Sequence, residues 1–181
     1  MYYSTTYPSP VGMITLACGE SGSSLAGLWL EGQKYFGGSI REDMTENNRQ
    51  PVFDAVKSWL DRYFAGRKPD ISELSLAPAG SKFRQEVWRI LCEIPYGEVV
   101  TYGSIAKRMA EKMGRETMSS QAVGGAVSHN PISIIIPCHR VAGADGSLTG
   151  YAGGIQTKVK LLELEGADLS RLYVPGKGSA L

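Results

Sequence analysis

Short apolar runs near the start of the chain predict three strands. The runs cover residues 2–7, 12–18 and 25–30. The segments Ser9-Pro10-Val11-Gly12 and Glu20-Ser21-Gly22-Ser23 lie between them, and segments rich in Gly, Pro and Ser form turns. Three strands joined by two short turns predict an antiparallel meander.

A helical pattern follows the strands. Pro51 suits the first turn of a helix, and apolar residues then recur at helical spacing up to Gly66. These residues are Val52, Phe53, Val56, Trp59, Leu60, Tyr63 and Phe64. Such a helix can cover the strands, whereas residues 37–50 are predicted to form a loop and residues 67–80 a linker. Residues 1–78 are thus predicted to be a small α/β domain with its linker.

The second half, residues 79–166, has a mainly helical pattern. Ser81 is expected to cap one helix, and its predicted core residues are Phe83, Val87, Ile90, Leu91 and Ile94. Thr101 or Ser104 is expected to cap the next, and its predicted inward residues are Ile105, Ala106, Met109 and Met113. A short helix after Ser120 completes the outline of a helix-turn-helix.

The end of the chain predicts a hairpin, a helix and a tail. Asp145-Gly146 favours a type I′ hairpin, which would form a wing between Val141 and Thr149. A last helix is predicted to end at Gly166, and its apolar residues are Val159, Leu161, Leu162 and Leu164. Residues 167–181 are predicted to be a loosely held tail.

The stretch Ile132-Ser133-Ile134-Ile135-Ile136-Pro137-Cys138-His139-Arg140-Val141 carries the candidate chemistry. Consecutive isoleucines show no polar alternation, so the segment is predicted to be a short strand buried on both faces. Pro137 would end the strand and leave Cys138 at its exit, which suits a reactive thiol. Most buried cysteines are only packing groups, but the adjacent His139 and the polar Asn130 favour reactivity.

Gly124 and Gly125 are unusual inside a helix. Each glycine should cost about 1 kcal/mol relative to alanine in a helix interior. Glycine removes a side chain where another backbone comes close. Tight packing between two helices and a helix lying against a DNA backbone both explain the pair, and the residues alone leave both open.

Composition narrows the class of protein. The chain has 181 residues, with 43% hydrophobic and 20% charged residues, as in a globular protein. No apolar run reaches the length of a membrane span, and the three cysteines Cys18, Cys92 and Cys138 cannot all pair, so a cytoplasmic protein without membrane contact is predicted. No zinc-ligand spacing is present. The net charge of +1 neither favours nor excludes nucleic acid.

A cysteine followed by a histidine suggests a thiolate with the imidazole as proton acceptor. Neighbouring side chains of an extended chain point to opposite faces, so His139 needs a turn or a bridging water to act on Cys138. A carboxylate is then needed to orient the imidazole. Glu163 and Glu165 are the candidates for this carboxylate, and the spacing of the residues does not distinguish between them.

A series of motifs, in order along the chain, resembles one family. The motifs are Gly97-Glu98-Val99-Val100-Thr101-Tyr102, Ala122-Val123-Gly124-Gly125-Ala126, Asn130-Pro131, Ile136-Pro137-Cys138-His139-Arg140-Val141, Gly150-Tyr151-Ala152-Gly153-Gly154 and Leu161-Leu162-Glu163-Leu164-Glu165-Gly166. Together they resemble the methylated-DNA–protein-cysteine methyltransferases, also called O6-alkylguanine-DNA alkyltransferases. The match is dense over residues 81–166, and over residues 1–66 only the layout of strands and helix is similar.

The resemblance implies an α/β fold: a ribonuclease H-like N-terminal domain and a C-terminal winged helix-turn-helix domain. It implies DNA repair by a methyltransferase that acts once, as a monomer without a cofactor or metal. The helix-turn-helix would bind the minor groove of double-stranded DNA, the alkylated guanine would rotate out of the stack, and Cys138 would take the alkyl group. Acceptance of O4-alkylthymine stays open.

The resemblance also implies site residues. His139 would take the thiol proton through a water, with Glu165 orienting it and Asn130 bracing the turn, and Tyr102 would rotate the phosphate and donate to the departing base. The implied DNA contacts are Tyr102, Ser119, Ser120, Gln121, Ala122, Gly124 and Gly125. The implied base-pocket residues are Val141, Tyr151, Ala152 and Gly153.

The chain departs from well-known members in two places. Gln121 stands where those members carry an arginine that fills the gap left by the rotated base. The stretch between Tyr102 and Gln121 is also longer than in some of them. Both departures bear on DNA binding and not on the chemistry of the cysteine.

Three other functions are compatible with parts of the pattern. A non-catalytic module that binds alkylated DNA would need no cysteine at position 138, so Cys138 argues against it. A cysteine hydrolase using Cys138 and His139 would turn over repeatedly. A winged-helix regulator would bind specific sequences and have no use for the thiol.

Overall fold

The computed structural model describes residues 1–38, 40 and 43–176, and it begins with a mixed four-stranded sheet. Strands β1 (Tyr2–Ser9), β2 (Gly12–Gly19) and β3 (Leu25–Leu30) form the predicted antiparallel meander. A fourth strand, β4 (Met44–Glu46), pairs in parallel with β1 and gives the order β3-β2-β1-β4. The predicted loop over residues 37–50 is therefore wrong at β4, because a three-residue edge strand leaves no periodic pattern. Residues 39 and 41–42 of that loop lie outside the described residues.

Helix α1 (Pro51–Phe64) covers the sheet as predicted. Proline occupies its first turn, where no intrahelical hydrogen bond is lost. The apolar side of the helix, including Trp59 and Tyr63, is buried. The indole Nε1 of Trp59 donates to the carbonyl oxygen of Asp70 at 2.9 Å, which ties the following linker to the helix.

Three capped helices form the helix-turn-helix region. They are α2 (Lys82–Cys92), α3 (Tyr102–Lys112) and α4 (Ser120–Ser128). The side-chain oxygens of Ser81, Thr101 and Ser119 each accept a backbone hydrogen bond at the start of these helices. Thr101, and not Ser104, is thus the cap of α3. The prediction that Met113 is inward is wrong, because α3 ends at Lys112 and Met113 is 42% exposed.

The isoleucine-rich segment is buried as predicted, but it is not a strand. Ile132 makes one isolated bridge to Leu28, and the chain then turns, with Ile134 at a φ of +71°. The side chain of Asn130 hydrogen-bonds the backbone of Ile132 and Ile136. These local bonds replace the ladder that a strand would need.

The predicted wing is a turn without a hairpin. Gly146 has a φ of +88°, but no positive φ is found at Asp145, and a type I′ turn requires both. The residues before the turn, β6 (Val141–Ala142), pair in parallel with β5 (Val100–Thr101). Asp145-Gly146 correctly predicted a turn. The predicted turn type and the predicted hairpin pairing of the flanking residues were wrong.

The segment after the last helix is hydrogen-bonded to this turn, so the prediction of a loose tail is wrong for residues 167–173. The backbone of Tyr173 accepts from Leu148 N at 2.9 Å and donates to Gly146 O at 3.0 Å. Its hydroxyl donates to the carboxylate of Asp145 at 2.7 Å. Residues 177–181 of the predicted tail lie outside the described residues.

Helix α5 (Ile155–Leu164) ends in the reverse turn that Gly166 predicts. Gly166 has a φ of +70° and donates to Glu163 O at 3.0 Å, and Ala167 N donates to Leu162 O at 3.0 Å. This ending turns Glu165 toward the interior while Glu163 stays exposed.

One apolar core joins both halves of the chain. Leu28 from β3, Trp59 from α1, Trp88 from α2 and Ile135 belong to the same buried cluster. Leu28 N donates to Pro131 O at 2.9 Å, so a backbone hydrogen bond also links the halves. The segment that carries Cys138 is therefore packed between the sheet and the helices.

In the described ranges, no helix combines the length and the apolar character that a membrane span needs. The same residues contain no group of three or more His, Cys, Asp or Glu side chains placed to hold a metal ion. Cys18, Cys92 and Cys138 are all free thiols, and Cys18 is buried, as expected for a packing residue.

Candidate active site

Cys138 opens a single 3-10 turn, Cys138–Arg140, directly after Pro137. The residue is 6% exposed and belongs to the main core cluster. Tyr102, Tyr151 and Lys158 are close enough for their charged forms to interact electrostatically with a thiolate at this position. The sulfur therefore lies where the apolar core meets a polar cluster.

Asn130 supports the turn that carries Cys138. Its amide Nδ2 donates to Ile136 O at 2.8 Å, and its Oδ1 accepts from Ile132 N at 3.0 Å. A hydrogen bond from the same side chain favours the thiolate of Cys138. One buried amide thus fixes the backbone on the N-terminal side of the sulfur and acts on the sulfur itself.

Glu165 is the centre of a buried hydrogen-bond network. Its carboxylate accepts from the hydroxyl of Tyr63 at 2.5 Å, from His139 Nε2 at 2.5 Å, from Arg140 Nε at 2.7 Å and from Gly97 N at 3.1 Å. Burial raises the pKa of Glu165, but the hydrogen bonds and charges of His139 and Arg140 outweigh it and hold the pKa well below its usual range. Glu165 is therefore ionised at neutral pH, and its buried position in this network distinguishes it from the exposed Glu163.

The network fixes the tautomer of His139. A carboxylate only accepts hydrogen bonds, so Nε2 carries the hydrogen that is donated to Glu165. Burial lowers the pKa of His139, which keeps the ring neutral at rest although Glu165 opposes the shift. In a neutral ring with hydrogen on Nε2, Nδ1 is the basic nitrogen. Nδ1 is buried and has no hydrogen-bond partner among the described residues.

The thiol of Cys138 is protonated at rest. Burial raises its pKa, whereas the hydrogen bond from Asn130 and the charge of Lys158 lower it. The increase dominates, so the nucleophile needs a base at the moment of reaction. Nδ1 of the adjacent residue, His139, is buried without a hydrogen-bond partner among the described residues and is the candidate for this base.

Lys158 is a site residue that the sequence analysis missed. It is 0% exposed, and its Nζ donates to Thr149 O at 3.0 Å. Burial lowers its pKa to about 8, so the side chain is still mostly an ammonium at neutral pH. The available signal was its position three and four residues before Leu161 and Leu162, on the buried face of α5.

Replacing Lys158 by methionine is expected to slow the reaction of Cys138 with an alkylating substrate, because loss of the nearby cation raises the pKa of the thiol and lowers the thiolate fraction. The fold should survive, because methionine fills a similar buried volume. Rates of thiol alkylation measured between pH 6 and 9 test this. The matched control is Lys160→Met on the exposed face of the same helix. Equal slowing by both substitutions would contradict a specific role for Lys158.

A cavity of about 670 Å³ lies beside this cluster. One wall is the helix-turn-helix, with Tyr102, Gln121 and Gly124 among its residues, and another is the loop at 149–152. Tyr102 donates to Thr149 O at 3.1 Å across the cavity, and burial raises the pKa of Tyr102 to about 12. The volume lies in the range of pockets that enclose small ligands.

The structure brings together all five residues implied as catalytic: Cys138, His139, Glu165, Asn130 and Tyr102. Tyr151 and Ala152 line the cavity, but Val141 and Gly153 do not. The implied DNA contacts that line it are Tyr102, Ser120, Gln121, Gly124 and Gly125. Ser119 and Ala122 are exposed at the start of α4 without lining the cavity. Cys138 itself is not a lining residue, but it interacts electrostatically with Tyr102 and Tyr151, which are.

A nucleophilic cysteine with a carboxylate-bound histidine, placed beside a helix-turn-helix, defines a thiol-dependent transferase or hydrolase. Comparison with known proteins decides between them. The model of the 6-O-methylguanine DNA methyltransferase DNA binding domain matches residues 82–167, and that of the ribonuclease-like domain of the same proteins matches residues 1–78.

Individual relatives agree with these matches. The methylated-DNA–protein-cysteine methyltransferase of Haemophilus influenzae is 41% identical over 91% of this chain and 86% of its own length. The protein of the same name from Methanosarcina acetivorans is 42% identical over 92% and 99%. The crystal structure of Mycobacterium tuberculosis OGT in complex with DNA is 41% identical, covers 94% of both chains and has a TM-score of 0.74.

The chain therefore belongs to the methylated-DNA–protein-cysteine methyltransferase family. It is a methyltransferase of DNA repair, and the acceptor of the alkyl group is a cysteine. The predicted fold class, an α/β domain followed by a helical DNA-binding domain, is confirmed.

Proposed function

We propose that this chain takes the alkyl group from O6-alkylguanine in double-stranded DNA onto Cys138, after the base has rotated into the cavity between α4 and the loop at 149–152. Chemistry on a base inside the stack requires extrusion of that base. The crystal structure of the Mycobacterium tuberculosis relative in complex with DNA supports a DNA partner for this chain.

The observation that carries the proposal is the open space over Gly124 and Gly125. A Cβ atom added to either glycine would meet nothing within 4 Å, although both residues line the cavity. Tight packing against another helix therefore does not explain the pair. A surface without side chains allows a DNA backbone or the walls of a minor groove to lie close to the helix.

The chemistry follows from the protonation states. The thiol proton passes through a bridging water to Nδ1 of His139, and Glu165 stabilises the resulting imidazolium. The sulfur attacks the alkyl carbon, the carbon–O6 bond breaks, and its electron pair stays with the guanine. Tyr102 is protonated at neutral pH, so its hydroxyl can donate a hydrogen bond to the departing base.

The product is a thioether on Cys138, which water does not hydrolyse under mild conditions. Each molecule should therefore react once. The test is intact and peptide mass after incubation with a duplex that contains O6-methylguanine. We expect one added methyl group, located on the peptide with Cys138. Repair of the duplex with an unmodified Cys138 peptide, or repeated turnover, would overturn the proposal and favour a hydrolase. Binding without transfer would instead favour a non-catalytic module.

Gln121 offers a second measurable property. It is exposed at the start of α4 and lines the cavity, so its side chain is placed to fill the space that a rotated base leaves. Gln121→Arg adds a cation there and is expected to tighten duplex binding several-fold, since each neutralised phosphate releases counterions. Gln121→Lys adds the same charge with a different shape. If neither variant changes binding or transfer, another residue fills the gap.

We also propose that the protein acts as a monomer in the cytoplasm. Three unpaired cysteines support a reducing compartment. A single-turnover reaction on one lesion needs only one copy of the site.

A further inference from the structure

The loop at residues 31–38 brings the first half of the chain to the cavity. Lys34 and Tyr35, on this loop, line the cavity together with α4 and the loop at 149–152. The backbone N–H of Lys34 donates to Ala152 O at 3.0 Å. The cavity therefore has a third wall outside the helix-turn-helix region, and this wall is attached to the loop that also lines the candidate base pocket.

Tyr35 is held in an unfavourable backbone conformation. Its φ is +58°, which costs about 1 kcal/mol or more for a residue with a side chain. Its ring stacks on His129 at the end of α4, with centroids 4.0 Å apart and an angle of 24° between the planes. The residue nevertheless stays 45% exposed. Backbone strain of this kind persists where the surroundings impose it, and such positions are frequent at ligand sites.

Buried hydrogen bonds fix the base of the loop. Gln33 is 8% exposed, accepts from Leu30 N at 2.8 Å through Oε1 and donates through Nε2 to Lys34 O at 3.3 Å. A buried amide with both ends bonded leaves the backbone at Lys34 little freedom. The loop is thus a rigid support for the side chains at positions 34 and 35.

Lys34 presents a cation at the rim. Its Nζ lies 5.8 Å from the centroid of the Tyr35 ring, and no ion pair joins it to a carboxylate in the part of the chain that the structure describes. Gly124 and Gly125, which also line the cavity, carry no charge. An exposed ammonium on a fixed support beside a glycine surface suits a backbone phosphate, because phosphate contacts position a duplex without reading its sequence.

We infer that the loop at 31–38 is a DNA-contacting element: Lys34 binds a backbone phosphate next to the extruded nucleotide, and Tyr35, stacked on His129, is the positioning residue that holds Lys34 there. This inference rests on the proposed function. It gives the first half of the chain a direct part in substrate binding in addition to its packing role.

The salt dependence of binding tests the phosphate contact. The probe is a duplex with one O6-methylguanine, bound to protein carrying Cys138→Ala so that no transfer occurs. Each phosphate contact contributes about 0.9 to the slope of log K against log salt concentration. Lys34→Gln should reduce the slope by about that amount, so the loss of affinity from 50 to 200 mM salt becomes about threefold smaller. Lys160→Gln, on the far face of α5, should leave the slope unchanged.

Tyr35 variants test the positioning role. Asparagine tolerates a positive φ, so Tyr35→Asn removes the ring with little added backbone strain. It should lower the slope as Lys34→Gln does, although Lys34 is still present, whereas Tyr35→Phe keeps the stack and should keep the slope. A full slope in Lys34→Gln would overturn the phosphate contact, and a full slope in Tyr35→Asn would overturn the role of Tyr35.

Methylation of protein that keeps Cys138 distinguishes failure of the inference about the loop from failure of the proposed alkyl transfer. If that protein gains a methyl group from the duplex while Lys34→Gln shows an unchanged slope, only the inference about the loop fails. If it neither binds the duplex nor becomes methylated, the proposed function fails and the loop inference fails with it.

Discussion

Replacing Cys138 by alanine is expected to abolish methyl transfer while the protein still folds and still binds a duplex that contains O6-methylguanine. Removing the sulfur removes the only group in the polar cluster that can form a thioether. The stability loss should be about 1 kcal/mol, typical of a point substitution, because a buried cysteine packs as a small apolar group. Mass spectrometry of the protein, duplex binding and thermal unfolding measure the three properties.

Cys92→Ala is the matched control for this experiment. Cys92 is a half-buried free thiol in the same half of the chain, and burial raises its pKa to about 11. Cys92 should not become methylated in the native protein or in Cys138→Ala. Replacing Cys92 by alanine should leave methyl transfer to Cys138 unchanged. Loss of the fold in Cys138→Ala, with transfer retained in any folded fraction, would mean that Cys138 is a packing residue.

Replacing Glu165 by glutamine is expected to lower the free energy of unfolding by about 3 kcal/mol and to slow transfer strongly. Removing one partner of a buried charged network leaves the other charge uncompensated, here that of Arg140. The neutral amide also stabilises an imidazolium at His139 less well. Denaturant unfolding and the rate of Cys138 methylation measure the two effects. Glu163→Gln, an exposed neighbour at the same helix end, should change neither.

The contribution of Glu165 to the free energy of unfolding should decrease as the pH falls. The pKa of Glu165 is lower in the folded protein than in the unfolded chain, where it is about 4.3. Its stabilising contribution is therefore complete above that unfolded value and is lost as the pH falls toward the folded pKa. The stability difference between the native protein and Glu165→Gln should be constant from pH 6 to 7 and should narrow below about pH 4. A difference that widens on acidification would contradict the assigned charge state.

Local patterns in the sequence were sufficient for most of the fold. The three strands and helix α1 follow from apolar periodicity, and helices α2 and α3 follow from that periodicity together with Ser81 and Thr101 at their starts. The same patterns gave a wrong conformation for the isoleucine-rich segment, because a continuous apolar run predicts burial but not conformation. There the side chain of Asn130 supplies the backbone hydrogen bonds, and the chain turns. Strand β4 was missed because pairing with a distant strand leaves no local signal.

For the site, the order of motifs identified Cys138, His139 and Glu165, but spacing alone did not choose between Glu163 and Glu165. The reverse turn at Gly166 makes that choice. The partners of Glu165 from outside the motifs, such as Tyr63, could not be found in this way, because 102 residues separate the two in sequence. Lys158 had a local signal, since it is a cation on the apolar face of a helix.

The hydrogen bond from Tyr63 to Glu165 has a consequence for how natural variation in this chain should be interpreted. Tyr63 lies on the helix that covers the sheet, far along the chain from every motif, yet its hydroxyl contacts the carboxylate that orients His139. A substitution that moves this helix is therefore expected to disturb the hydrogen bond between Glu165 and His139 and to slow methyl transfer, without altering a DNA-facing residue. Variants in helix α1 should therefore be assessed for the position of Glu165 as well as for folding, even though they lie outside the cysteine motif.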